Sequence, residues 1–239
     1  MMDKVETGIE NLDKILKGGI PRGWVVLVSG GPGAGKSILA TQFLYEGIEK
    51  YRENGVYVTF DESITNIKKT MIPFGWGLEK YEKEGKLGFL DLSYTKGMEL
   101  KERGHFDLGV LVELIKKTIM DKAAKRVVID PVTMLSYFYE EKFEVRKCLL
   151  ALIRTLNKLG CTTMMTHEIR HAELGHDVMD TEEFASQGVI RLYYHRDKMN
   201  RFRAIEVLKM RGSRIIEKVF PFEIRDNGIY IHLAAEVFM

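Results

Sequence analysis

Gly30 to Ser37 read GGPGAGKS and match G-x-x-x-x-G-K-[ST] at every position. Residues of these types at this spacing can hold a polyphosphate. Successive backbone N–H groups turn toward the anion, a lysine reaches it as a point charge, and a hydroxyl completes a magnesium shell. Lys36 and Ser37 are the candidates for the last two tasks. Gly30, Gly33 and Gly35 permit the positive or crowded backbone angles that such a loop needs, and Gly31, Pro32, Ala34 and Ile38 complete the candidate phosphate contacts. A glycine-rich turn that merely ends a strand is the competing reading, and the flanks argue against it. Trp24-Val25-Val26-Leu27-Val28 reads as a buried strand and Ile38 to Leu44 as a helix, the setting in which a helix N-terminus converges on phosphate.

Two further positions carry acids where such chemistry would use them. Arg126-Val127-Val128-Ile129-Asp130 is an aliphatic run ending in Asp, the form of a second magnesium-coordinating element. Many buried strands end this way, so the signal gains its weight from the glycine loop upstream. Thr59-Phe60-Asp61-Glu62 ends a second strand in two carboxylates. There an acid faces the crevice at the C-terminal edge of a parallel sheet and can orient and polarise an attacking water. Glu62 is the preferred catalytic residue, with Asp61 beside it; capping of the helix from Ser63 by one of the two is the alternative.

The elements that must position these groups alternate along the chain. Strands are expected over 55–60, 86–91, 127–130 and 161–166. Helices are expected over 64–71, 107–122 (with Leu108, Leu111, Val112, Ile115 and Ile119 at helical spacing) and 144–159. Strands separated by helices predict right-handed crossovers, a mostly parallel sheet and helices on both faces. From Gly188 the texture changes. Strands over 189–194, 202–210, 218–224 and 229–233, joined by turns such as Asp226-Asn227-Gly228, predict antiparallel hairpins at one sheet edge.

Composition narrows the classes without choosing among them. The 239 residues are 45% hydrophobic and 29% charged, an ordinary composition for a soluble α/β domain able to bury a sizeable core. Lys plus Arg number 36 against 34 Asp plus Glu, a net charge of +2 that argues for neither nucleic acid nor membrane as an obligatory partner. No apolar run approaches the roughly 20 residues of a membrane span, and the charged N-terminus has no signal-peptide core, so a cytoplasmic location is expected. Cys148 and Cys161 fall in elements expected to be buried and read as reduced, inert thiols.

With these residues in place, the chain resembles KaiC-type ATPases of the RecA superfamily almost end to end. The resemblance rests on GGPGAGKS, on Tyr57-Val58-Thr59-Phe60-Asp61-Glu62, and on Phe74-Gly75-Trp76 followed by Glu84-Gly85-Lys86-Leu87. It continues through Arg126 to Asp130 and, most specifically, through Leu208-Lys209-Met210-Arg211-Gly212-Ser213. It implies one RecA-like domain over 1–239, ATP or ADP with Mg2+ as ligands, and ATP hydrolysis served by Lys36, Asp61 and Glu62. It further implies a hexameric homo-oligomer in which Lys209, Met210, Arg211 and Ser213 reach a neighbour's nucleotide. Lys209 and Arg211 would place positive charge at its γ-phosphate, where transition-state charge gathers. A solvated edge strand whose charges guard against pairing is the competing reading.

The chain also departs from the clock members of that family, which carry two such domains in tandem. Their autokinase half has adjacent Ser and Thr acceptors at positions occupied here by Glu183 and Phe184, so clock-type autophosphorylation is not expected. The first of the family's paired glutamates is Asp61 here, which leaves Glu62 as the better match to the water-activating acid. Two other function classes remain open: a strand-exchange protein on single-stranded DNA, disfavoured by the flat charge balance, and a switch that signals through assembly with little turnover.

Two decoys complete the reading. His167-Glu168-Ile169-Arg170-His171 fits H-E-x-x-H, with His176 a conceivable third ligand, but a zinc site needs that motif on a helix and here it follows a strand. Thr166, His167 and Glu168 are instead expected near the γ-phosphate. Tyr193 to Arg203 mixes aromatics with bases, as a stacking surface for single strands would; it also spans an expected hairpin tip, where charge is normal.

Overall fold

A computed structural model of the chain describes residues 2–93, 101–102, 105–106, 108–139, 141–169, 183, 185–197 and 200–235. In chain order the elements are β1 (Lys4–Val5), α1 (Leu12–Ile15), β2 (Ile20–Pro21), β3 (Val25–Gly30), α2 (Lys36–Tyr51), β4 (Gly55–Thr59), α3 (Ile64–Met71), α4 (Leu78–Lys83) and β5 (Leu87–Asp91). There follow β6 (Lys101–Glu102), β7 (His105–Phe106), α5 (Leu108–Asp121), β8 (Arg126–Asp130), α6 (Leu135–Phe138), α7 (Lys142–Leu159) and β9 (Thr162–Glu168). Four strands close the fold: β10 (Gly188–Asp197), β11 (Asn200–Met210), β12 (Phe220–Arg225) and β13 (Gly228–Ile231).

Nine strands form one sheet in the order β13-β12-β11-β10-β3-β9-β8-β4-β5. From β10 to β5 every neighbouring pair is parallel, and from β10 to β13 every pair is antiparallel. The α/β architecture with antiparallel C-terminal strands is thus the one expected from sequence. Consecutive side chains of β3 supply the two faces. Val26 and Val28 pack with Leu39 and Phe43 of α2, while Val25 and Leu27 pack with Leu111 and Ile115 of α5 and Leu152 of α7. A strand buried on both faces carries a continuous apolar run, which is why 24–28 is readable as strand without alternation. Gly228, at φ 116° after the Asp226-Asn227 turn, lets β12 fold back into β13, and Gln42 Oε1 of α2 accepts from Ile229 N at 2.8 Å.

Below the sheet, at the N-terminal ends of the parallel strands, Arg126 is fully buried. Its guanidinium pairs with Glu53 at 2.7 Å and donates to the carbonyls of Phe43, Glu6 and Thr7. A Cβ on Gly47 would lie 2.4 Å from Arg126 Cδ, so the helix needs glycine where that arginine crosses it. Buried charge is tolerable only when paired and hydrogen-bonded in this way. Some differences from expectation are local: the segment 101–106, where no strand is expected, contains the antiparallel pair β6 and β7, and β9 continues two residues beyond Thr166. Among the described residues, no helix is long and apolar enough to cross a membrane.

Candidate active site

β3 ends at Gly30 and α2 begins at Lys36, and the glycines between them are used as the motif requires. Gly33 and Gly35 have φ of 74° and 103°, and a Cβ on Gly30 would stand 2.6 Å from the Leu192 carbonyl oxygen of β10. No side chain caps α2, so its first-turn N–H groups are those that a helix leaves unsatisfied. Lys36 Nζ donates to the carbonyls of Gly30 and Gly31, both at 2.9 Å, which arches the side chain over the loop. Burial lowers its pKa, opposed by the negative charges of Glu168 and Asp130. Thr41 Oγ1, one turn along, donates to the Ser37 carbonyl at 2.7 Å.

The sheet sets the acids beside this loop. β9 lies between β3 and β8, and β8 pairs with β4, so Gly30, Glu168, Asp130 and Thr59 end along one C-terminal edge. Both oxygens of Asp130 accept hydroxyl donors: Oδ2 from Tyr57 at 2.5 Å and Oδ1 from Thr166. Burial and the Asp130 charge hold the Tyr57 phenol well above its ordinary pKa. Beyond Thr59 the chain turns, with Thr59 Oγ1 donating to the Glu62 carbonyl at 2.6 Å. Partial desolvation, then the charges of Asp130 and Asp61, raise the Glu62 pKa. A carboxyl raised in this way is a better proton acceptor than an ordinary surface glutamate.

The capping alternative is set aside here. Neither Asp61 nor Glu62 caps α3; Ser63 is the N-cap, and its Oγ accepts from Asn66 N at 3.3 Å. A serine adjoining the first helical residue reaches the third N–H directly, which leaves both carboxylates unspent. Ser63→Ala should therefore cost about 1 kcal/mol of stability, read as a lowered urea midpoint, with nucleotide affinity unchanged. An unchanged midpoint would show that the cap contributes nothing.

His167 and Glu168 lie on β9 and not on a helix, so the H-E-x-x-H spacing has no shared face to act on; Arg170, His171 and His176 lie outside the described residues. His167 Nδ1 sits 3.3 Å from Thr133 Oγ1, and Glu168 N donates to that oxygen at 2.8 Å. Among the described residues no group of three His, Cys, Asp or Glu side chains could hold a metal ion.

Sequence reasoning missed the wall of the loop. Arg203 of β11 donates to the Gly33 carbonyl through Nε at 3.2 Å and Nη2 at 3.1 Å, and its guanidinium lies 4.3 Å from the Tyr194 ring centre. The Tyr194 ring is 3.4 Å from where a Gly33 Cβ would stand. Of the aromatics read as a stacking surface, Tyr193 is buried and Tyr194 covers the loop; Lys198 and Met199 lie outside the described residues. Only the mixture of aromatic and basic residues signalled this segment, and it does not say what they pack against.

Lys209, Met210, Arg211 and Ser213 are held elsewhere. β11 runs antiparallel to β10, so Met210 and Val26 both pair with Gly188, at the starts of β10 and β3. That is about 13 Å of strand below Gly30. Arg211 N donates to the Gln187 carbonyl at 3.0 Å, and Gly212 at φ 66° turns the chain away. Desolvation and the Arg211 charge lower the Lys209 pKa, while Glu183 opposes them. Glu183 is fully buried; it accepts from Ser29 Oγ at 2.6 Å and from Arg191 Nη2 at 2.8 and 2.7 Å. An acid so enclosed ties the last turns before β10 to β3. Phe184 lies outside the described residues.

The family described as ATPase: KaiC matches residues 5–236. The circadian clock oscillator protein KaiC of Synechococcus elongatus is 42% identical over 230 residues, which are 95% of this chain and 44% of that protein. The chain thus spans less than half the length of that clock protein. A UPF0273 protein of Thermotoga maritima is 37% identical over 239 residues, with 97% of each chain covered. Among solved structures, a KaiC-like protein from the archaeon Pyrococcus horikoshii OT3 superposes with a TM-score of 0.83 at 35% identity, covering 97% of this chain and 100% of that one.

Proposed function

The chain belongs to the KaiC family of ATPases, and from that premise we propose that it binds ATP with magnesium at Gly30 to Ile38 and hydrolyses it, as one domain of a homo-oligomeric ring. The observation that carries the reading is the meeting of the glycine loop, Asp130 and the Glu62 turn at one sheet edge. Loop N–H groups and the α2 N-terminus cradle the phosphates, and Lys36 moves from the loop carbonyls to the β- and γ-oxygens. Ser37 and Asp130 offer the hard oxygen donors that magnesium takes, with phosphate and water as its other ligands. Held there by Ser37 and Asp130, the ion would supply positive charge to the polyphosphate. Glu62 orients the attacking water and takes its proton.

Lys209 and Arg211 stand at the wrong end of the sheet to serve their own loop, which supports their action on the next protomer's γ-phosphate. A head-to-tail contact of that kind closes into a ring under repeated rotation, and the family resemblance implies six subunits. Tyr194 and Arg203 brace the loop from its outer side at Gly33.

Lys36→Ala tests the assignment. Losing one charged phosphate contact should cost about 2–3 kcal/mol, or roughly thirty- to a hundred-and-fiftyfold in the calorimetric Kd for ATP. An affinity equal to the parent's, in a variant with the parent's circular dichroism, would place the nucleotide elsewhere.

A further inference from the structure

Tyr57 sits at the middle of β4, 1% exposed, on the face that packs against α2. A phenylalanine would fill this slot, since the ring packs among apolar neighbours with Phe89 at 6.1 Å. The hydroxyl is what needs explaining, because a buried O–H costs free energy unless bonded. It donates to Asp130 Oδ2 at 2.5 Å. One phenol thereby ties the middle of β4 to the carboxylate at the end of β8.

We infer that Tyr57 is a positioning residue for the divalent cation: by holding one carboxylate oxygen of Asp130, it fixes the orientation of a group assigned to hold the metal. This rests on the ATP–magnesium reading above. Thr166 anchors the other carboxylate oxygen, so Asp130 is fixed in rotation by hydroxyls from two strands that flank its own sheet layer, β4 and β9. Outer hydrogen-bond partners of this kind orient a ligand that they do not replace, and their loss costs metal affinity more than fold.

Tyr57→Phe removes the hydroxyl and keeps the ring. The experiment titrates Mg2+, and separately Mn2+ followed by its electron paramagnetic resonance signal, into protein with a non-hydrolysable ATP analogue. Analogue affinity is also measured in EDTA. The inference expects about tenfold weaker metal binding in Tyr57→Phe, with metal-free affinity and melting temperature near the parent's. Thr166→Val, which frees the other oxygen of Asp130, should weaken metal binding in the same direction. Parent-like metal binding in Tyr57→Phe overturns the inference. If that variant melts early, parent-like metal binding in Thr166→Val overturns it instead. A parent protein that binds the analogue no better with Mg2+ than in EDTA removes the underlying reading as well, and so the two failures are told apart.

Discussion

Glu62→Gln should lower ATP turnover by a hundredfold or more while the Kd for ATP stays within about twofold of the parent's. The substitution keeps size and hydrogen-bonding capacity and removes the basic site that accepts a proton from water. The Glu62 pKa is raised by desolvation and then by the Asp130 and Asp61 charges. The sign of the pH effect follows. The deprotonated carboxylate is the active form, so parent turnover climbs as pH rises through a Glu62 pKa above the ordinary 4.5. Above that limb it levels off, and in Glu62→Gln the limb disappears. If Glu62→Gln hydrolyses ATP at the parent rate while Asp61→Asn does not, the roles of the two acids are exchanged.

Arg211→Ala should lose roughly a thousandfold in turnover, the scale of a removed arginine finger, and its loss should be curable by a second dead protein. In a ring with shared sites, mixing Arg211→Ala with Glu62→Gln creates some interfaces that hold an intact Glu62 from one protomer and an intact Arg211 from the next. Activity should return to those interfaces and rise well above either variant alone. Light scattering with ATP should report an assembly larger than the 27.5 kDa chain, because a ligand held only by the assembled site favours assembly by mass action. No recovery on mixing, together with a fully active monomer, would place the whole reaction within one subunit.

What could be read in advance was whatever depends on local order. The loop, its strand and helix, the run to Asp130 and the change to hairpins after Gly188 all follow from spacing, apolar runs and periodicity within short stretches of chain. The N-terminal elements were not legible: β1 and β2 have two residues each and α1 has four, too few to display a period. Nor could sequence show that Tyr57 meets Asp130, since that depends on β4 and β8 being neighbours. Arg203 at Gly33 is the same case, joined across 170 residues by the closing of the β10–β11 hairpin beside β3. The choice between capping and catalysis for Asp61 and Glu62 turned on one adjacent hydroxyl, whose aim no propensity fixes.

Strand β11 has a use for its length. Arg203 grips the carbonyl of its own loop, while Lys209 stands six residues along the same strand, about 20 Å away. β11 is paired with β10 from Asn200 to Met210 and with β12 over Arg203–Ile205, with one register shift opposite Val189 and Ile190, so movement of the loop at one end is carried toward the other through paired backbone. In the proposed ring, each site would therefore report its phosphate state to the subunit its finger touches, and not to the subunit on its other side. The circle would carry messages in one sense of rotation, like a ratchet whose pawl is a single β-strand.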